Sequence, residues 1–288
     1  METMKLRDLF TSKKPTLSFE VFPPKTDQGI TNLLAHLKKL EKFSPDFISV
    51  TYGAGGGTQE RSLDVLDKVF EQFKGAVVAH FTCIGQDKKT IKKFITRIEK
   101  MGIGNILALR GDIPKNNASF DFSKNEFKYT NELVEFIRRE TDLSIGVAGY
   151  PEGHITAESK EIDWDNLKKK IDAGADFVIT QLFFNNDDYF RFREAMVKRG
   201  INVPLIPGVL PVPSRDSLDK IIDLSGATPS NELLNICRKY MKSEEDFKKA
   251  SIEYTKRQVA NLLNSDVPGI HYYILNRSEM ISEVLSSG

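Results

Sequence analysis

A short apolar run followed by an amphipathic helical stretch recurs along this chain at intervals of roughly thirty residues, about the length of one strand–helix–strand crossover. The apolar runs occupy Leu17–Phe22, Phe47–Tyr52, Ala76–Ile84, Asn105–Gly111, Ser144–Tyr150, Phe177–Phe184, Leu205–Leu210 and Ile270–Leu275, and each reads as a strand. Between them, Ile30–Phe43, Arg61–Phe73, Lys88–Met101, Asn131–Glu140, Asp163–Ala173 and Asp187–Lys198 carry helical periodicity. The joints repeat as well: Gly102, Gly174 and Gly200 each stand just past a helix and just before a strand, where the left-handed conformation ends a helix. Helical crossovers make neighbouring strands parallel, and parallel strands are buried on both faces, as the near-continuous apolar runs require. Eight such units in 288 residues predict an α/β protein of the (β/α)8 or TIM-barrel type rather than an open doubly wound sheet. Two further helical stretches, Asn231–Met241 and Glu244–Leu263, precede the last strand and read as an insertion. The polar segment Ile113–Lys128 reads as a long loop after strand four, and no linker divides the chain, so residues 1–288 are expected to form a single domain.

At 40% hydrophobic residues, the chain can bury a core of that size. Lys+Arg 41 against Asp+Glu 40 leaves a formal charge of +1, so neither nucleic acid nor an anionic membrane is expected as a partner. The run Lys168-Lys169-Lys170 reads as one face of a helix. Cys83 and Cys237 match no metal or redox spacing, and Cys83 follows a strand, where a buried reduced thiol is expected. No apolar run approaches membrane-spanning length and the charged N-terminus lacks a signal core, which together predict a soluble cytoplasmic protein.

Glu20 places a carboxylate inside the first apolar run. Taking a carboxylate out of water is costly unless it is paired or stays protonated, so Glu20 is either already in solvent at a strand end or put to use. Residues two apart share a face of a strand, which pairs Ser18 with Glu20, Ser49 with Thr51, His80 with Thr82 and Arg110 with Asp112. Four successive strands thus carry polar pairs toward their C-terminal ends, the end at which barrels bind ligands and do chemistry. The plain alternative, strand ends turning polar as they meet solvent, explains one such pair more easily than four in phase. Strand six ends in Thr180-Gln181-Leu182-Phe183-Phe184, whose amide suits an amide or heteroaromatic edge, or else is a satisfied core glutamine. Strand five ends in Tyr150-Pro151-Glu152-Gly153-His154, an aromatic face and an imidazole, although a loop histidine by itself can be merely solvated.

Three tempting motifs fail. Arg110-Gly111-Asp112 spells an adhesion tripeptide, but it lies at a buried strand end in a chain without a secretion signal. Gly53-Ala54-Gly55-Gly56-Gly57-Thr58 lacks the lysine of a phosphate-binding loop and the spacing of a dinucleotide fingerprint, and reads as backbone approaching a ligand above strand two. His80, His154 and the carboxylates show no zinc spacing, so no metal is expected.

Taken in order, these segments resemble the methylenetetrahydrofolate reductase family. The resemblance runs through Ser18–Pro24, Ser49–Gly53, His80–Cys83, Leu107–Asp112, Tyr150–Glu152, Asp172–Ala175, Ile179–Phe184, Ile206–Gly208 and Leu275–Arg277, over nearly the whole chain. It implies a barrel holding non-covalent FAD that reduces 5,10-methylenetetrahydrofolate to 5-methyltetrahydrofolate with NADH or NADPH, supplying methyl groups for methionine synthesis. The implied cycle is ping-pong: the nicotinamide reduces the flavin and leaves, and the folate then takes its place. Glu20 matches the family's proton donor, for which an apolar strand neighbourhood would raise the carboxyl pKa. Asp112 matches the acidic residue beside the flavin, where a fixed carboxylate would stabilise a cationic folate iminium. Gln181 matches the residue that hydrogen-bonds nicotinamide and folate in turn.

For FAD the resemblance implies Tyr52, Ala54, His80, Arg110, Gly111, Tyr150, His154, Asp163, Asn166 and Lys170, with Lys169 and Lys170 toward the pyrophosphate. Asp112 stands beside the flavin as well as the folate. Thr130 falls at another flavin position, where the family carries a different small residue. Thr51 would touch the nicotinamide and Arg277 the folate. The segment after strand seven departs from some members: Ser217 stands where a folate-binding glutamine can occur, and Ile221 where a phenylalanine can pack on the substrate. The resemblance further implies a homo-oligomer, and only the catalytic barrel without the regulatory domain that eukaryotic members add. Two other readings stay open at this stage: a reductase of the same fold fed by a protein electron donor, and a flavin- or folate-binding barrel without turnover.

Overall fold

The computed structural model describes residues 3–11, 14–53, 56–112 and 121–286. Within them run eight parallel strands: β1 (Thr16–Val21), β2 (Phe47–Val50), β3 (Ala76–Thr82), β4 (Asn105–Leu109), β5 (Ser144–Gly149), β6 (Phe177–Leu182), β7 (Leu205–Val209) and β8 (Gly269–Tyr273). They pair in sequence order and β8 closes on β1, giving the barrel that the repeat predicts. The expected strands are all present, but each of the eight stops one or two residues short of the C-terminal end read from the sequence, β4 ending at Leu109 for instance. Apolar residues continue past the last ladder bond because the loops above the barrel are themselves packed, as Cys83, Ile84, Phe183 and Phe184 are.

The helices follow from caps and stripes. α2 (Asp27–Leu40) starts where Thr26 accepts from the Gly29 N–H, and α4 (Lys88–Met101) where Asp87 accepts from Thr90. α4 ends on Gly102 at φ 90°, a left-handed residue that needs no Cβ, as the joint pattern requires. α3 (Gly56–Gln72), α5 (Thr130–Glu140), α6 (Lys160–Asp172) and α7 (Asn186–Lys198) complete the regular units. Their inward stripes, such as Ile91, Phe94, Ile95 and Ile98 of α4, bury against the outer face of the strands in the main core.

Three helices were not legible. α1 (Leu6–Leu9) closes the N-terminal floor of the barrel: Leu6 is fully buried, its N–H donates to Asn105 Oδ1 (2.7 Å), and the Arg7 N–H donates to Ser144 Oγ (3.0 Å). Leu6 packs there with Phe47, Val78, Leu107, Phe177, Ile179 and Ile206, the lower interior of the barrel. α8 (Arg215–Ser225) follows β7, and α11 (Glu279–Leu285) follows β8. Extra helices do precede the last strand, but their identity differs from the sequence reading. α10 (Glu244–Leu263) packs on α7 and α11 and sends Ile252, Val259 and Leu262 into the main core, so it takes a place in the outer ring. The additions are α8 and α9 (Asn231–Lys239), which each bury one residue within the helix, Leu218 and Leu233, in a second small core with Leu182, Phe184 and Leu210.

Candidate active site

Strand parity decides which side chains enter the barrel. Ser18 lies in register with Phe47 on one side and His271 on the other, and Glu20 with Ser49 and Tyr273. Ser18 Oγ meets His271 Nδ1 at 2.8 Å and Ser49 Oγ meets His271 Nε2 at 3.3 Å, while the imidazole stacks on the Phe47 ring at 5.6 Å. Glu20 Oε2 stands above this layer, 3.7 Å from His271 Nε2 and 3.6 Å from His80 Nε2. Ser18 Oγ also lies 3.2 Å from the Ile270 carbonyl, so one hydroxyl ties β1 to both the backbone and the imidazole of β8.

The expected apolar surroundings of Glu20 are therefore not what the fold provides. The carboxylate is 21% exposed and sits between two imidazoles, because interior positions of β3 and β8 carry histidines rather than aliphatics. His80 is buried and pushed down to about 4 chiefly by that burial, with His271 reinforcing the effect and Glu20 opposing it, so it is neutral near pH 7. Its Nε2 has no hydrogen-bond partner, and neither has the buried Thr82 Oγ1 two residues on. Two orphaned polar atoms two residues apart near the end of one strand are costly unless a ligand takes them up.

A second group of charges gathers at the tops of β4 and β5 and along α6. Arg110 and Asp112 lie beyond the end of β4, so strand alternation does not govern them, and Asp112 is exposed in the loop. Gly111 has φ 83°, and a Cβ there would stand 2.8 Å from Thr82 Cβ, which explains a glycine between the two charged residues. Tyr150 meets the His154 ring edge-on at 4.7 Å, and Trp164 Nε1 donates to the Tyr150 carbonyl (3.0 Å). Lys170 donates to the Ala148 carbonyl (3.0 Å) with its ammonium 6.0 Å from the Tyr150 ring centre. Burial lowers Lys170 to about 8, Asp163 holding its charge and Arg110 opposing it. Burial likewise raises the Asp163 carboxyl, lowers His154 and pushes the Tyr150 phenol to about 12. Charged groups crowd here with less water than they need, as in a site built for a charged ligand.

The remaining sequence-identified residues fall around these two groups. Tyr52 is packed between Phe81 (4.9 Å) and Phe94 (5.3 Å) just past β2, and Thr51 donates its N–H to the Val21 carbonyl (2.9 Å). Thr130 is buried at the start of α5. Lys169 donates to Asn166 Oδ1 (2.9 Å), both exposed on α6, with Asn166 one turn before Lys170. Gln181 stands on β6 and folds its Oε1 onto the Leu182 N–H (2.9 Å), and no described residue takes up its NH2. Arg277 is exposed beyond β8, after Leu275 and Asn276 at φ 50° and 58°, and Asn276 holds both backbone groups of Phe22 (3.0 and 2.7 Å). Ser217 is engaged in the α8 cap with Ser214 (2.7 Å), and Ile221 packs into the second core. Ala54 lies outside the described residues.

Sequence reasoning missed His271 and Tyr273. The signal was present: both sit in phase on strand eight, and His271 interrupts an apolar run as Glu20 does. A groove of about 720 Å³ between α4 and α5, lined by Lys88, Lys92, Lys93 and Arg97, lies on the outer flank and holds no comparable convergence. Among the described residues no group of three His, Cys, Asp or Glu could hold a metal ion, and no helix is long and apolar enough to cross a membrane.

Comparison with known proteins bears on this geometry. A family model described as methylenetetrahydrofolate reductase matches residues 5–288. The chain is 34% identical to the 5,10-methylenetetrahydrofolate reductase of Pectobacterium carotovorum subsp. carotovorum over 264 residues, covering 92% of this chain and 87% of that one. It is 33% identical to the Escherichia coli 5,10-methylenetetrahydrofolate reductase with the same coverage. Against methylenetetrahydrofolate reductase 1 of Schizosaccharomyces pombe it is 30% identical, covering 95% of this chain but 46% of that longer relative. Among solved structures, a Clostridium thermocellum protein that binds two copies of 5-methyl-5,6,7,8-tetrahydrofolic acid superimposes with a TM-score of 0.63 at 14% identity, covering 98% and 96% of the two chains. A phosphonopyruvate hydrolase superimposes at 0.54 with 12% identity, covering 99% and 84%. Likenesses at that identity speak for the barrel alone.

Proposed function

The chain belongs to the methylenetetrahydrofolate reductase family, and from that premise we propose that it reduces 5,10-methylenetetrahydrofolate to 5-methyltetrahydrofolate with electrons from NADH or NADPH and a bound FAD. The observation that carries the reading is the Glu20 carboxyl set at the barrel mouth between His80 and His271. Hydride can reach the bridging carbon of the folate only after its five-membered ring opens to an iminium, and that opening needs a proton on the departing nitrogen. Glu20 is the group placed to hold that proton. Neutral His80 leaves the carboxyl without a fixed cation on that side, and His271 Nε2 stands 3.7 Å from it on the other.

The residues present fit FAD. The orphaned His80 Nε2 and Thr82 Oγ1 suit the polar edge of a flat heteroaromatic ring, and Lys170, held near 8 by burial, suits a diphosphate that would restore its charge. Arg110, Gly111, Tyr150, His154 and Asp163 would line the same ligand, with Tyr52 and Thr130 at its margin; Asn166 and Lys169 would reach it from the exposed side of α6. FAD, when bound, supplies a two-electron relay that lets nicotinamide and folate use one place in turn. Asp112 keeps a carboxylate near that place, where it favours a cationic folate and disfavours added negative charge. Gln181, able to donate and accept, would grip nicotinamide and then folate, with Thr51 on the nicotinamide and Arg277 on the glutamyl side of the folate. The product would feed methionine synthesis, and the protein would work as a cytoplasmic homo-oligomer of single barrels.

Absorbance spectra and anaerobic stopped-flow mixing test the reading. The purified protein should be yellow and should bleach on mixing with NADH or NADPH; a colourless protein that does not take up FAD would overturn it. Bleaching by neither nucleotide, with folate turnover intact under another reductant, would point to a protein electron donor.

A further inference from the structure

The pairing of β6 with β7 slips by one residue beside the site. Ile179 faces Ile206 and the next pair is Leu182 with Gly208, so Thr180 and Gln181 together stand opposite Pro207. An extra residue of this kind bends its strand and re-aims a side chain, and its backbone groups need partners because they are buried. The partner comes from β8, on the far side of β7. Tyr273 Oη donates to the Thr180 carbonyl (2.7 Å), and the Gly208 N–H donates to the Thr180 hydroxyl (2.9 Å). Gly208 makes the reach possible, since a Cβ there would lie 2.3 Å from the Thr180 carbonyl oxygen and 2.6 Å from the Tyr273 ring. Thr180 is fully buried, so neither of its groups has water as an alternative. Burial, with Glu20 and Tyr150 adding to it, holds the Tyr273 phenol well above its ordinary range, so it remains a donor at physiological pH.

We propose that Tyr273 is the positioning residue for Gln181: its hydroxyl pins the β6 bulge that carries Gln181, whose Oε1 accepts from the Leu182 N–H inside that same bulge. The latch rests on the geometry, while its consequence for ligands rests on the role proposed for Gln181 in gripping nicotinamide and folate. Tyr273 is also the register partner of Glu20, so one side chain ties the strand beside the proton donor to the strand that carries the amide. Ile206-Pro207-Gly208 thereby acquires a reason. Its glycine is the gap through which β8 reaches β6.

The test combines amide exchange with binding. Tyr273→Phe keeps the ring and deletes only the hydroxyl; Thr180→Val removes the acceptor of the Gly208 N–H, and Thr180→Ser restores it. In Tyr273→Phe and Thr180→Val, exchange at the Leu182 and Gly208 amides should accelerate by at least roughly tenfold, the scale of one or two lost hydrogen bonds. The KM for NADH or NADPH, assayed with an artificial electron acceptor, should rise roughly fivefold with kcat little changed, and Thr180→Ser should behave as wild type. In a Gln181→Ala background, Tyr273→Phe should add almost nothing, because two residues acting as one unit are not additive. Unchanged exchange at Leu182 and Gly208 overturns the latch whatever the kinetics show. Faster exchange with fully additive effects of Tyr273→Phe and Gln181→Ala overturns the positioning role. Faster exchange with a Gln181→Ala variant that binds nicotinamide and folate normally overturns the role of Gln181 itself, and positioning with it, a signature distinct from the other two.

Discussion

Glu20 shows how far a single residue can be read. Its place in an apolar run marks it as a carboxylate with a task, and the task proposed for it, protonating a folate nitrogen, makes a narrow forecast. Glu20→Gln should leave oxidation of NADH or NADPH by an artificial acceptor near normal while folate reduction falls by about 10²–10⁴, the usual worth of a general acid. Steady-state assays of the two half-reactions check this, and near-normal folate turnover would remove the assignment. Lys170 carries a pH forecast. Its ammonium sits near 8 in the ligand-free protein, so binding of an anion must protonate it at higher pH. FAD affinity should therefore hold below pH 8 and weaken above it, by up to about tenfold per unit, and Lys170→Met should bind FAD at least roughly tenfold more weakly and lose that dependence. Quenching of flavin fluorescence measures both. His271 escaped sequence reasoning although it obeys the same in-phase rule as Glu20; its partners Ser18 and Ser49 come from β1 and β2, more than 200 positions away in the chain.

At the scale of elements, local signals and tertiary demands divide cleanly. The bounds of α4 and α10 coincide with the helical periodicity, because Asp87 and Ser243 cap their first turns, and α4 adds a strong apolar stripe. α1 has four residues and no capping side chain, so nothing local announces it, and it exists because the barrel floor needs a plug. Leu6→Ala should therefore cost about 2–5 kcal/mol, the usual range for a buried leucine cavity, measured by chemical denaturation. Substitution at Gly208 is a sharper case: an alanine Cβ would strike the Thr180 carbonyl, so Gly208→Ala should destabilise the β6–β7 pairing far more than its small volume suggests. The bulge itself was illegible. A one-residue slip leaves no mark in a run such as Thr180–Phe184, since both registers bury apolar residues.

Across the whole molecule, the buried histidine couples the site to stability. His80 has a folded pKa of about 4 against an ordinary 6.5. The unfolded chain therefore binds the proton first, and stability that is complete above about pH 6.5 is lost as pH falls toward 4. That group alone should cost roughly 2 kcal/mol by pH 5, visible as a falling Tm, and His80→Asn should flatten the slope between pH 7 and 5. The barrel was legible from the chain because its cause is local and repeated: eight strand runs, their interleaved helices and the glycine joints impose parallel pairing wherever they occur together. The residue types of the site were legible too, since charges inside apolar runs are costly and stand out. Tertiary structure alone decided that α10 belongs to the ring and α8 and α9 do not, that Glu20 lies between imidazoles rather than in hydrocarbon, and that Tyr273 reaches Thr180 across Gly208. Each of these depends on which strands stand side by side after closure, and pairwise distance between remote residues has no trace in local pattern.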